Sequence, residues 1–270
     1  MTSETSHPLH VTDADLDFYR DNGYFIYNHQ LLPRDKFDRL KTVFDGLYDN
    51  LSEGERPEAM DVPHFSHPEL FEWLMDKDVL DFVEQFIGPN IAVWSSHFLC
   101  KPPACGLRVP WHEDSAYWAG RLSEFRVLTV WLAIDDSDLE NGCMRIIPGT
   151  HDHGFSDYAP VNAEEHVFDQ EIVADQVDDD QAVDLVVRAG QCHIHHAKTI
   201  HGSNPNTSDR RRCGYTMRYM PTTTKVIMED PDEHAIYLAR GKDLAGNEYG
   251  DPTKKFSVPT RMRTAKLKGD

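Results

Sequence analysis

Two hydrophobic textures divide the chain. Before residue 90 the apolar positions recur at helical spacing, and from Ile91 onward they form short runs broken by turn residues. Thr12-Asp13-Ala14-Asp15 reads as a helix start, a hydroxyl N-cap with acids in the first turn. That helix carries Leu16, Phe18 and Tyr19 and stops near Gly23. Tyr24-Phe25-Ile26-Tyr27 predicts a short strand. Pro33 opens a second helix, on which Phe37, Leu40, Val43, Phe44 and Leu47 keep the helical period. Residues 66 to 87 predict two more short helices, one through Leu70, Phe71 and Leu74, the next through Leu80, Phe82, Val83 and Phe86, ended by Gly88-Pro89-Asn90. Strands are expected from Ile91 to Leu99, Phe125 to Ile134, Cys143 to Ile147, Val183 to Val187, Gln191 to His196 and Gly214 to Met220. Their spacing fits an antiparallel sandwich or barrel. Helices first and strands later predict a mainly β jelly roll with supporting N-terminal α-helices.

Composition narrows the class. At 270 residues, without a linker or repeat, the chain reads as one domain: helical support over 12–88, a jelly-roll core over 91–221 and a C-terminal extension over 222–270. A formal charge of −19 argues against nucleic acid or an anionic membrane as a partner held by general attraction. Five scattered cysteines without a CxxC pair read as reduced, mostly buried thiols. The first residues have neither a basic start nor an apolar run, and no apolar stretch is long enough to span a bilayer, so a cytoplasmic protein is expected. Residues 152 to 182 are rich in acids, ending in Asp178-Asp179-Asp180, and read as a solvated loop, with a cover over a site mouth as the sharper alternative. The basic tail (Lys254, Lys255, Arg261, Arg263, Lys266, Lys268) reads as a flexible solvated end.

Candidate chemistry centres on Trp111-His112-Glu113-Asp114. On an extended segment His112 and Asp114 share a face, because strand side chains alternate. A second imidazole from a neighbouring strand completes a 2-His-1-carboxylate set with an open side, the arrangement diagnostic of non-haem Fe(II) oxygenases. Alone, His-x-Asp is weak. It gains weight from His201-Gly202-Ser203, followed by turn residues and the run Arg210-Arg211-Arg212 ahead of a strand-like segment. One of these arginines is suited to hold a dicarboxylic acid by a bidentate pair. Three further histidines, His193, His195 and His196, crowd one strand; they read as hydrogen-bonded residues beside the pocket, with a second metal site as the alternative. Lys101, Arg108 and Arg218 are candidates to meet an acidic substrate group, and Trp111, Tyr117 and Trp118 either line the substrate site or pack in the core.

These motifs, together with Lys101-Pro102-Pro103, Val127-Leu128-Thr129-Val130-Trp131, Glu140-Asn141-Gly142-Cys143 and Pro148-Gly149-Thr150-His151, resemble the phytanoyl-CoA dioxygenase family of Fe(II)- and 2-oxoglutarate-dependent oxygenases. The likeness runs over roughly residues 8 to 245. It implies a cupin-like double-stranded β-helix with Fe(II) on His112, Asp114 and His201. The absence of thiolate ligands speaks against structural zinc. It also implies 2-oxoglutarate as cosubstrate, dioxygen at the remaining position and ascorbate as an assisting reductant. The family interval from distal histidine to oxoglutarate arginine points to Arg212 over Arg210 and Arg211. The resemblance further assigns Ser203 to the cosubstrate and Trp131 to the pocket wall, with Thr129 on the same face as a donor or as plain sheet packing. The implied reaction converts 2-oxoglutarate to succinate and carbon dioxide and hydroxylates an unactivated C–H bond of a small molecule. Glu113 departs from the glutamine often found there, and an aspartate at 114 favours oxygenation over halogenation. The alternatives are an oxoglutarate-independent jelly-roll metalloenzyme, an isomerase or hydrolase with no need of Arg212, and a non-catalytic sensor that binds metal, with or without oxoglutarate, and does not consume it. No motif selects the substrate or the oligomeric state.

Overall fold

The computed structural model describes residues 9–228 and 233–257. Helix α1 (Asp13–Asn22) starts at Thr12. The Thr12 hydroxyl accepts from the Asp15 amide at 3.3 Å and the Asp15 carboxylate accepts from the Thr12 amide at 2.8 Å. This capping box satisfies donors that the first turn leaves free. The helix ends on Gly23 at φ 75°, a left-handed conformation that favours glycine. Strand β1 (Tyr24–Tyr27) and helix α2 (Arg34–Asp49) follow, and α2 buries Phe37, Leu40 and Phe44 along one stripe. Next come β2 (Met60–Asp61), α3 (Pro63–Ser66), α4 (Phe71–Leu74) and α5 (Lys77–Ile87). The region expected to hold two helices is thus divided further. Pro68 opens a separate 3-10 turn after His67, whose backbone is non-helical, and Asp76 caps α5 by accepting from the Asp78 amide at 2.8 Å.

The β region contains β3 (Ile91–Lys101), β4 (Val109–His112), β5 (Leu128–Ala133), β6 (Met144–Ile146), β7 (Tyr158–Pro160), β8 (Gln170–Ile172), β9 (Val183–Leu185), β10 (Cys192–His196), β11 (His201–Ser203), β12 (Arg212–Pro221) and β13 (Tyr237–Arg240). A major antiparallel sheet runs β1-β10-β5-β12-β3-β13, with β2 beside β3, and a minor sheet runs β4-β11-β6-β9. The expected β-helix architecture is therefore present, with β1 recruited from the helical third to the major sheet. The expected strand from Phe125 begins only at Leu128.

Strand alternation separates two environments on the major sheet. Leu128, Val130 and Leu132, with Tyr215, Met217 and Tyr219, pack outward into one core with α2 and α5. Each such fully buried large side chain contributes about 1.5–3 kcal/mol. The opposite face carries Thr129 and Trp131, His193 and His195, and Thr216 and Arg218. Register aligns them in rows: His195 beside Thr129 beside Arg218, and His193 beside Trp131 beside Thr216.

Residues 152 to 182 are not simply a solvated loop. β7 and β8 form a hairpin, and it is docked on the strand that carries the candidate site. The Glu171 carboxylate accepts from the Trp111 amide at 3.0 Å and ion-pairs with Arg108, while the Tyr158 hydroxyl accepts from the Glu113 amide at 3.0 Å. Of the tail, Arg261, Arg263, Lys266 and Lys268 lie outside the described residues. Among the described residues no helix is long and apolar enough to cross a membrane.

Gly214 shows how tightly the inner face is filled. A Cβ there would lie 1.9 Å from Trp131 Cε2. Gly214→Ala must therefore displace the indole or the strand, and we expect a loss of about 1–3 kcal/mol, the usual range for overpacking. Chemical denaturation measures it; an unchanged midpoint would mean that Trp131 is free to move.

Candidate metal centre

β4 and β11 pair antiparallel with His112 opposite His201, and their ring centroids lie 4.1 Å apart. β4 ends at His112, but Glu113 keeps extended angles (φ −112°, ψ 130°) before a 3-10 turn over Asp114–Trp118. Alternation therefore continues one residue past the strand. Asp114 joins His112, and Glu113 turns to the other side, where its Oε1 accepts from the Ser156 hydroxyl at 2.6 Å. One ligand atom each from His112, Asp114 and His201 lies within 4.8 Å of the others, and all three residues are buried. Among the described residues this is the group so arranged.

The donor set suits a divalent metal. His112 Nδ1 donates to the Pro110 carbonyl at 2.8 Å and His201 Nδ1 to the Thr199 carbonyl at 2.9 Å. Each ring thereby presents Nε2 as its lone pair, the orienting arrangement common behind metal-bound histidines. Burial lowers both imidazoles, His201 well below its ordinary value, and so keeps them neutral. Two neutral imidazoles and one carboxylate, with no thiolate nearby in the set, match the facial pattern of Fe(II) sites.

Asp114 is a buried carboxylate that stays ionised. Burial alone would raise it, but the Arg218 guanidinium and the imidazoles of His195 and His201 outweigh that effect and hold it well below the usual carboxylate range. Arg218 grips it through Nη2 to Oδ1 at 3.1 Å and Nε to Oδ2 at 3.2 Å. The Thr129 hydroxyl donates to Oδ2 at 3.1 Å, and His195 Nε2 lies 3.5 Å from the same oxygen. Three neighbouring strands of the major sheet thus surround one carboxylate. Thr129 is a donor here rather than simple packing.

At the other end of the cavity Arg212 stands opposite Lys101 on β3. Arg212 is 1% exposed, has its guanidinium carbon 4.6 Å from the Trp131 ring centroid, and approaches Ser137 Oγ at 3.4 Å through Nε. Among the described residues no carboxylate pairs with it, and burial pushes it down to about 10. Its two neighbours differ. Arg210 pairs with Asp138 and Glu140 at the surface, and Arg211 pairs with Asp135 and Asp45 on the outer face. A buried guanidinium without a protein acid is the counterpart of an anionic ligand. Lys101 is fully buried, donates to the Ser203 carbonyl at 3.4 Å and to the Asn204 carbonyl, and is lowered by burial and then by Arg212.

A cavity of about 40 Å³ joins the two ends; His112, Asp114, His201, Ser203, Trp131, Arg212 and Arg218 all line it. Thr129 does not line it and bears on the site only through its hydrogen bond to Asp114. The structure therefore brings His112, Asp114, His201, Ser203, Trp131 and Arg212 to one cavity, with Thr129 behind Asp114. Phe168 was missed: its ring sits 5.0 Å from His112, delivered by the docked acidic segment, and a lone aromatic among acids gives little signal. The three clustered histidines also differ from expectation. His193 stacks on Trp131 at 5.0 Å and, like His195, has no hydrogen-bond partner for its ring nitrogens; His196 faces away, towards His151. Trp111 points outward under Arg145, and Arg108 is engaged with Glu171.

Comparison with known proteins agrees with this geometry. The family model for phytanoyl-CoA dioxygenase (PhyH) matches residues 19–214. Peroxisomal phytanoyl-CoA dioxygenase of Rattus norvegicus is 25% identical, covering 94% of this chain and 81% of the relative; that of Bos taurus is 32% identical, covering 73% and 60%. A probable alpha-ketoglutarate-dependent hypophosphite dioxygenase of Stutzerimonas stutzeri is 30% identical over 56% of this chain, which spans about half (52%) of that relative. Among solved structures, the non-heme monooxygenase ThoJ in its apo form superposes with a TM-score of 0.71 at 26% identity, over 90% of both chains. The epimerase SnoN in complex with Fe3+, alpha ketoglutarate and nogalamycin RO shares the fold, with a TM-score of 0.66 at 19% identity over 93% of this chain and 96% of SnoN. The chain belongs to the phytanoyl-CoA dioxygenase family, within the iron- and 2-oxoglutarate-dependent oxygenases.

Proposed function

We propose that the chain hydroxylates an unactivated C–H bond of a small molecule while 2-oxoglutarate is converted to succinate and carbon dioxide. The observation that carries this reading is the shared cavity. A buried 2-His-1-carboxylate set lies at one end and, at the other, the buried Arg212, which no acid among the described residues pairs with. An isomerase, a hydrolase or a bare metal sensor would use the first and gain nothing from the second.

On this reading His112, Asp114 and His201 hold Fe(II), and Arg212 pairs with the distal carboxylate of 2-oxoglutarate, assisted by the Ser203 hydroxyl and by Lys101. When bound, iron, dioxygen and 2-oxoglutarate supply the oxidation, one oxygen atom ending in succinate and the other in the alcohol. The chain's own part is positional and electrostatic. The Pro110 and Thr199 carbonyls fix the two imidazoles, and Thr129 and Arg218 fix the carboxylate, so the three donors need little rearrangement to take a metal. Trp131 and Phe168 wall the cavity with aromatic surface and keep bulk water from the reacting groups.

Two outcomes are expected. Protein supplied with Fe(II), ascorbate and 2-oxoglutarate under air should form succinate slowly without substrate. His112→Ala or Asp114→Ala should abolish both that turnover and binding of Co(II) measured by calorimetry; turnover surviving either change would rule out the site. Arg212→Ala leaves a buried carboxylate unpaired, at a cost of about 3–5 kcal/mol, so the oxoglutarate requirement should rise by roughly 10²–10⁴-fold. An unaltered requirement would move the clamp elsewhere. Once a substrate is found by stimulated turnover, ¹⁸O₂ should label its product; oxidation without the label would replace hydroxylation by another outcome of the same chemistry.

A further inference from the structure

The charges that line the cavity do not balance once the proposed occupants are considered. This inference rests on the oxygenase reading above. The inner face carries Arg212 and Arg218, with Lys101 beside Arg212, against a single carboxylate, Asp114. A divalent metal takes up the charge of Asp114 together with that of the chelating carboxylate of 2-oxoglutarate. The distal carboxylate answers Arg212. Arg218 still holds the Asp114 carboxylate through Nε and Nη2, but that negative charge is then shared with the metal, and the guanidinium keeps positive charge that no protein acid among the described residues balances.

Among the described residues Arg218 ion-pairs with Asp114 alone, and no other acid near it is its partner. Glu58 is bound by Arg56 and by the Leu107 amide, and Asp61 lies beside His97 with 65% of its side chain exposed. Arg218 itself is only 14% exposed, so water cannot fully balance its remaining charge. Its placement suits a ligand contact. Nε and Nη2 face Asp114, whereas Nη1 has only a long contact to Ser95 Oγ, at 3.4 Å. A guanidinium has five donors, so Nη1 keeps a hydrogen to offer. The side chain lies over Trp118, 5.5 Å from the ring centroid, and so is held in one orientation. It also lies well away from Arg212: on β12 the two are separated by Gly214 and Thr216 on the same face, so one ligand carboxylate cannot serve both.

We propose that Arg218 anchors a negatively charged group, a carboxylate or a phosphonate, on the primary substrate. The substrate is then a small anion or a molecule that presents one beside the metal, in a protein whose overall charge of −19 would otherwise repel it.

Matched pairs test this without knowledge of the substrate. The Fe(II)–2-oxoglutarate complex has a visible charge-transfer band. Under anaerobic conditions that band is titrated with hexanoate and hexanamide, cyclohexanecarboxylate and cyclohexanecarboxamide, and phenylphosphonate and its dimethyl ester. Acids of at least one pair should perturb the band saturably and bind roughly tenfold or more tightly than the neutral partner. Arg218→Gln should erase the discrimination, and Arg218→Lys, which keeps the charge, should retain part of it. Equal binding of acids and neutral partners, no response to any acid, or discrimination that survives Arg218→Gln overturns the anchor while leaving the oxygenase reading intact. A parent protein that forms no band at all brings down that reading and the anchor with it.

Discussion

Most of the architecture can be understood as a way to keep one carboxylate ionised in a dry place. Asp114 is 4% exposed, and an isolated ion at that depth would neutralise instead. It escapes because Arg218 and Thr129 approach from one sheet while His112 and His201 approach from the other. Those groups meet only if two sheets face each other with polar inner surfaces. Such surfaces are unfavourable in a sandwich core, and they are tolerated here because the apolar burial has been moved elsewhere. The outer face of the major sheet, covered by α2 and α5, supplies the hydrophobic core that the inner face gives up.

That division explains why so much of the site was legible in the sequence. Ligand alternation requires only an extended backbone at Glu113, and its neighbours say as much. The opposing register of His201 and His112 is a long-range fact, absent from local pattern, and there the family likeness supplied what propensity lacked. The helical third was readable for the opposite reason: a cap at Thr12 and an apolar stripe on α2 are local signals. The misses share a cause. β2, β7, β8 and β13 are two to four residues long, too short for alternation to declare itself, and Phe168 reaches the metal centre only because that weak hairpin is docked by Glu171 and Tyr158. That the His193 and His195 nitrogens lack partners among the described residues is likewise invisible in a run of histidines.

Glu113 ties these two levels together. Its side chain faces away from the metal cluster, as strand alternation demands, and receives the Ser156 hydroxyl and amide. Its own amide binds Tyr158 of β7. The residue between two candidate ligands is thus the point at which the acidic segment is fastened. Any movement of that segment acts on the backbone between His112 and Asp114, and the departure from glutamine at this position concerns the docking of the acidic segment rather than the donor set.

The three consecutive arginines make the underlying logic plain. Composition and local charge are identical at 210, 211 and 212, yet their chemistry is not. Arg210 precedes β12 and meets Asp138 and Glu140 in solvent; Arg211 turns outward, stacks 4.8 Å from the Phe44 ring centre and pairs with Asp135; Arg212 turns inward and meets no acid among the described residues. A one-residue slip of β12 would exchange the last two. It would bury the acid-paired guanidinium beside Trp131 and strand the other among the helices, so two ion pairs and an aromatic contact oppose the slip. The register that creates an anion site on the inner face is therefore enforced from the outer one.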